Sequence, residues 1–79
     1  MDYTPHFARD PRICEGETVF RGTRVLLRVV LADLADGASI QQILKDFPSL
    51  GEEQVRAAIA FAADAARDDM PVLAITRSR

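Results

Sequence analysis

Arg21, Arg24 and Arg28 are the residues of this chain best suited to chemistry with a ligand, because they gather around Gly22 and the start of an apolar run. A guanidinium is a planar, permanently charged fork that fits a phosphate or a carboxylate. Arg21 or Arg24 has a structural use instead, as an ion-pair partner of Asp10, Glu15 or Asp33. Further along, Gln42, Lys45, Gln54 and Arg56 are of the types that contact bases or phosphates. Glu52 and Glu53 stand beside the last two and would repel a nucleic acid backbone. Cys14 is the only cysteine and His6 the only histidine, which excludes an internal disulfide and leaves no Cys/His zinc set within one chain. Neither residue has a base, orienting group or co-ligand near it in sequence, so neither reads as a nucleophile. Gly16, Gly22, Gly37 and Gly51 are too scattered for a phosphate-cradling loop or a dinucleotide fingerprint. These residues suit recognition better than catalysis, and no cofactor or metal is expected.

The elements that must position them can be read from breaks in the hydrophobic pattern. Residues 1–24 read as an arm with Pro5 and Pro11, then a short β-hairpin of Arg12–Cys14 and Thr18–Phe20 around the Glu15-Gly16-Glu17 loop. Thr23 is placed to cap a first helix over about Val25–Asp36. That helix carries Val25, Leu26, Leu27, Val29, Val30, Leu31 and Leu34 around most of its circumference. Such a helix needs cover on several sides, from a second copy, from a partner protein or from the hairpin. Gly37 ends it in the left-handed position that glycine fills without a Cβ penalty.

Ser39 and Gln42 form the S-x-x-Q capping pattern of a second helix reaching about Phe47, where Pro48 stops it. Glu52 and Glu53 favour the positive end of a third helix running to about Asp69. Its core face is expected to hold Val55, Ile59, Ala62 and Ala66, with Phe61 on another side, either as a second apolar surface or packed under the hairpin. Residues 25–69 are thus expected to form a mainly α, trihelical helix-turn-helix core, and 70–79 an apolar and basic tail. In that tail Val72, Leu73 and Ile75 can add a C-terminal strand to the hairpin or to a partner's sheet edge. Leu27, Leu31, Phe61, Val72, Leu73 and Ile75 are the candidate dimer or partner interface.

Size and charge narrow the class of function. A chain of 79 residues is one domain, and one so small buries only about 60% of the surface its unfolded chain exposes. Although 48% of its residues are hydrophobic, no run reaches the roughly 18 apolar residues of a membrane span. The first residues, Met1 to His6, have neither a basic leader nor an apolar core, so no signal peptide is expected and the cytoplasm is the expected location. The net charge of −2 is not that of a basic DNA-binding domain. Its distribution is uneven, since residues 33–69 hold eight acids against Lys45, Arg56 and Arg67. Any attraction for DNA must come largely from the N-terminal half.

The pattern Asp10-Pro11, Ile13, Gly16, Val19-Phe20-Arg21-Gly22-Thr23-Arg24-Val25, Asp36-Gly37-Ala38-Ser39-Ile40, Ile43-Leu44, Phe47-Pro48-Ser49-Leu50, Val55, Ala58 and Phe61 resembles the domain of unknown function 433 family. The resemblance spans about residues 10–66. It implies a homeodomain-like, winged-helix-related fold in small prokaryotic proteins. It also implies an antitoxin of a toxin–antitoxin pair, which would block a PIN-like ribonuclease and repress the shared promoter by binding operator DNA. The chain departs from the pattern at Thr18 and Leu26, where prolines are common, at Glu17, where lysine is usual, and at Gly51, where a capping Thr or Ser is usual. The function expected on these grounds is a non-enzymatic, dimeric antitoxin. The expectation from a different class is a protein-interaction or oligomerisation module that binds no DNA.

Overall fold

The computed structural model describes residues 1–69, and the Val72–Ile75 tail expected as a strand lies outside them. Two short strands, β1 (Phe7–Ala8) and β2 (Val19–Phe20), precede three helices, α1 (Leu27–Ala35), α2 (Ile40–Asp46) and α3 (Glu52–Asp69). The chain is mainly helical, with a trihelical core and an antiparallel N-terminal strand pair, as its sequence leads one to expect.

The strand pairing differs from the expected hairpin. Phe7 opposes Phe20 and Ala8 opposes Val19, so β2 pairs with the arm and not with residues 12–14. Asp10 begins a turn in which its carboxylate and its carbonyl accept the N–H groups of Arg12 and Ile13, the usual use of Asp before Pro. Cys14, Glu15 and Gly16 all have positive φ, at 50°, 57° and 83°. That run forms a tight 3-10 turn and cannot extend as a strand. The other side of β2 is taken by the chain entering α1, where Phe20 N–H donates to Val25 and Leu27 N–H donates to Thr18. The hairpin loop is therefore Arg21–Arg24.

Thr23 closes that loop instead of capping α1. Its hydroxyl donates to the Phe20 carbonyl at 2.7 Å and accepts the Val25 N–H at 3.0 Å. The helix starts at Leu27, two residues later than expected, after a Leu26 cap with no side-chain bond. The Leu27 N–H finds its acceptor on Thr18, so the strand does part of the work a cap would do. At the other end Gly37, at φ 103°, lets its own N–H reach Leu34 and the Ala38 N–H reach Asp33, the paired bonds of a left-handed helix stop.

In α2 the Ser39 hydroxyl accepts the Gln42 N–H at 3.1 Å, while the Gln42 amide turns to Asp46. In α3 the reverse half of the same device operates, with Gln54 Oε1 accepting the Gly51 N–H at 2.9 Å. The core joins both halves of the chain: Phe20 of β2 is enclosed with Leu27, Val30, Ile43, Leu50, Val55 and Ala58. The buried face of α3 is turned from the expected one. Ala57 and Ala58 are fully buried and Phe61 packs on the core, whereas Ile59 is 43% exposed and Ala66 is exposed. The helix is rotated so that Phe61 meets the arm. Of the large apolar side chains described, only Met1 and Ile59 remain exposed, and on α1 Leu27 and Val30 are buried while Leu31 and Leu34 are half-buried.

Candidate functional site

Arg21 is committed to structure. Its Nε donates to the Pro5 carbonyl at 2.9 Å, its Nη2 to Phe7 at 2.7 Å, and its backbone N–H to His6 at 2.8 Å. One residue thus fastens the arm along its length, and its guanidinium is not free to act as the ligand contact expected. Arg28 forms a two-pronged pair with Glu17 at 2.6 and 3.1 Å. That pair holds the Glu17 carboxyl below its usual range and raises the Arg28 guanidinium. The ion pairs expected of Arg21 or Arg24 with Asp10, Glu15 or Asp33 do not form among the described residues; the pairs found are Arg28 with Glu17 and Arg12 with Asp10, the latter at 3.2 Å. Arg24 is exposed and has no side-chain hydrogen bond or ion pair among the described residues.

The candidates on the helix-turn-helix are similarly occupied. Arg56 pairs with Glu52 one turn back at 2.8 Å, Gln42 bonds Asp46, and Gln54 closes the start of α3. Lys45 is exposed with no such partner among the described residues. Arg24 and Lys45 are thus the members of the DNA-contact set whose side chains are uncommitted. Glu52 and Glu53 lie exposed in the first turn of α3, the part that would enter a groove of DNA.

Three of the candidate interface residues come together. Leu27 and Leu31 of α1 and Phe61 of α3 line a groove of about 320 Å³, with Thr18, Glu17, Arg28 and Arg9 around it. Leu27 itself is 4% exposed and belongs to the core, so it forms the floor and is not a surface contact as expected. Leu31 and Phe61 are half-buried and form the walls. Arg9 is fixed by its Nε on the Gly16 carbonyl at 3.0 Å. Val72, Leu73 and Ile75 lie outside the described residues.

The arm, aperiodic in sequence, packs on Phe61, one of the residues that line the groove. Tyr3 stacks edge-on against Phe61 with centroids 5.7 Å apart, Phe7 lies 6.3 Å from Phe61 and 5.2 Å from Phe20, and the Tyr3 hydroxyl donates to Asp64 at 2.6 Å. His6 Nε2 sits 3.7 Å from the Glu53 carboxylate. Tyr3 and Phe7 carried no periodic signal, because an arm's contacts depend on where it returns and not on its own repeat. Among the described residues no cluster of three His, Cys, Asp or Glu side chains could hold a metal ion. No helix of the described residues is long and apolar enough to cross a membrane.

The Arg21–Val25 turn, the Gly37–Ser39 junction and the Phe47–Leu50 link lie within residues 8–62, which match the model of a family described as "Protein of unknown function (DUF433)". The chain belongs to the DUF433 family. A DUF433 protein from Anabaena variabilis ATCC 29413, solved by crystallography, has the same fold, with a TM-score of 0.69 at 24% identity over 78% of this chain and 61% of that one. The uncharacterized protein y4eO of Sinorhizobium fredii (strain NBRC 101917 / NGR234) is 42% identical over 52 residues, 66% of this chain. This chain spans only 24% of the length of that relative. The DUF433 match starts at residue 8, so Tyr3 and Phe7 lie outside it, while Phe61, which they contact, lies inside.

Proposed function

We propose that this DUF433 chain is a non-catalytic, antitoxin-like binding protein of the cytoplasm, whose partner is a PIN-like ribonuclease held at the groove of Leu27, Leu31 and Phe61. The observation that carries the reading is the contrast between that groove and the helix-turn-helix. The groove presents apolar walls between two helices, a common setting for a protein or peptide contact. The helix-turn-helix presents Glu52 and Glu53, with Arg56, Gln42 and Gln54 already engaged. Protein contact is accordingly the primary activity. The nuclease identity comes from the resemblance, and a homodimer is the assembly expected with it.

The test is a tagged pull-down from the native host with mass spectrometry of the co-eluting chains, repeated with Leu31→Glu. Stoichiometric recovery of a small PIN-like nuclease, lost in the folded variant, supports the proposal. Recovery of the protein alone, dimeric by light scattering, overturns it in favour of an oligomerisation module.

A second reading, operator binding, draws on the uncommitted side chains of Arg24 and Lys45. In that case Arg24→Ala flattens the salt dependence of DNA binding by about one unit of slope for one neutralised phosphate. An unchanged slope removes Arg24 from any such interface.

A further inference from the structure

We propose that a second cleft, under the Arg21–Arg24 turn, binds an acidic, aliphatic peptide segment of a partner protein, with Arg24 taking the carboxylate. The cleft has a volume of about 410 Å³, with Ala8 and Ile13 supplying apolar surface beside the buried Val19, and Asp10 and Arg24 supplying charge. Asp10 is already neutralised. It accepts two bonds from the Arg12 guanidinium at 3.2 Å each and one from the Arg12 backbone at 2.9 Å. The uncompensated charge facing the cleft is therefore that of Arg24.

Every other part of the turn has a structural duty. Arg21 fastens the arm, and Gly22 at φ 81° supplies the backbone reversal. Thr23 bonds both flanks and Val25 packs on the core. The backbone under Arg24 is held by these neighbours, and its carbonyl also accepts the Cys14 thiol at 3.6 Å. An arginine on a fixed base loses less freedom when a ligand arrives than one on a loose loop. The ligand class follows from the combination: a guanidinium selects an oxyanion, and the apolar lining selects an aliphatic group beside it. A nucleic acid backbone offers the first and not the second.

This site is independent of the groove assigned above. Thr18 lines the groove and Val19 the cleft, and successive residues of an extended chain face opposite sides. Either can fail without the other.

The experiment is an amide-resolved NMR titration of isotopically labelled protein with the blocked dipeptide acetyl-Asp-Leu-amide. Acetyl-Asn-Leu-amide, inorganic phosphate and a short DNA duplex serve as comparison probes. Expected is a saturable shift of the amides of Ala8, Ile13, Gly22 and Arg24 with the Asp-Leu probe. Its dissociation constant should rise about tenfold in Arg24→Gln, the loss of one charge-assisted contact. Arg24→Lys should keep part of the affinity, and both variants should keep the native spectrum elsewhere. The proposal is overturned by the absence of a localised shift, by equal binding of the Asn-Leu probe, or by binding of phosphate or duplex as tight as that of Asp-Leu.

Discussion

In the helix-turn-helix half the side-chain hydrogen bonds close over three or four residues: Ser39 with Gln42, Gln42 with Asp46, Gly51 with Gln54, Glu52 with Arg56. The arm-and-turn half has short contacts too, at Asp10–Arg12 and around Thr23, but it adds others that reach across eleven residues from Arg28 to Glu17, fourteen and sixteen from Arg21 to Phe7 and Pro5, and sixty-one from Tyr3 to Asp64. Helices satisfy their polar groups locally because residues three and four apart are neighbours on one surface. An arm with a two-residue strand has few such internal neighbours and needs distant acceptors as well. The short-range half pairs Arg56 with Glu52 and Arg67 with Asp64 along α3 itself. The long-range half spends most of its arginines on holding itself in place, and what it leaves unspent, Arg24, stands on a turn held by Arg21 and Thr23.

Phe20 is where the halves meet, and removing it should erase the distinction. Phe20→Ala is expected to cost about 3–5 kcal/mol, read as a large loss in urea midpoint, because the ring is fully enclosed by residues of all three helices and by Phe7. A loss confined to the arm would show that the helices do not need it.

The comparison sharpens with Arg21→Ala. It should cost about 1–2 kcal/mol, the net worth of two exposed charge-assisted bonds to carbonyls. Hydrogen exchange should accelerate at residues 5–8 while α2 keeps its protection. Uniform acceleration in both halves would mean that the clamp serves the whole core.

Ser39→Ala probes the local half. The lost cap should lower stability by about 1 kcal/mol, with fraying limited to the first turn of α2. A change in arm exchange would contradict the local character of that contact.

The smallest effect concerns pH. Arg28 holds the Glu17 carboxyl below its ordinary value by hydrogen bonding, and Arg12 does the same for Asp10. A depressed carboxyl contributes stability that is present above its unfolded value and is lost as pH falls through the folded one. Arg28, raised by Glu17, stays protonated throughout that acid window and adds no slope there. Glu17→Gln should therefore slightly flatten the acid limb of a thermal-stability profile, and leave its alkaline side unchanged. An unaltered acid limb would show that this exposed pair is fully screened.

Several of these contacts were legible as sequence. Gly37 and Ser39 announced the α1–α2 junction, Pro48 the end of α2, and Glu52 the start of α3, and each acts where expected. Thr23 has the chemistry of a helix cap, but its hydroxyl fits the turn behind it as well as the helix ahead. The Ile59 face of α3 was inferred from periodicity alone. In a helix rich in alanine that signal is weak, and Phe61, drawn by Tyr3 and Phe7, set the rotation instead.

By itself the sequence determined three helices, the stop of the first and the bounds of the second and third, because caps, prolines and glycines act over a few bonds. Only the tertiary structure decided which strand pairs with β2, which arginines are consumed as clamps, and that Leu31 and Phe61 line one groove. Those outcomes depend on where distant segments meet once Phe20 is buried, and no spacing along the chain encodes that meeting.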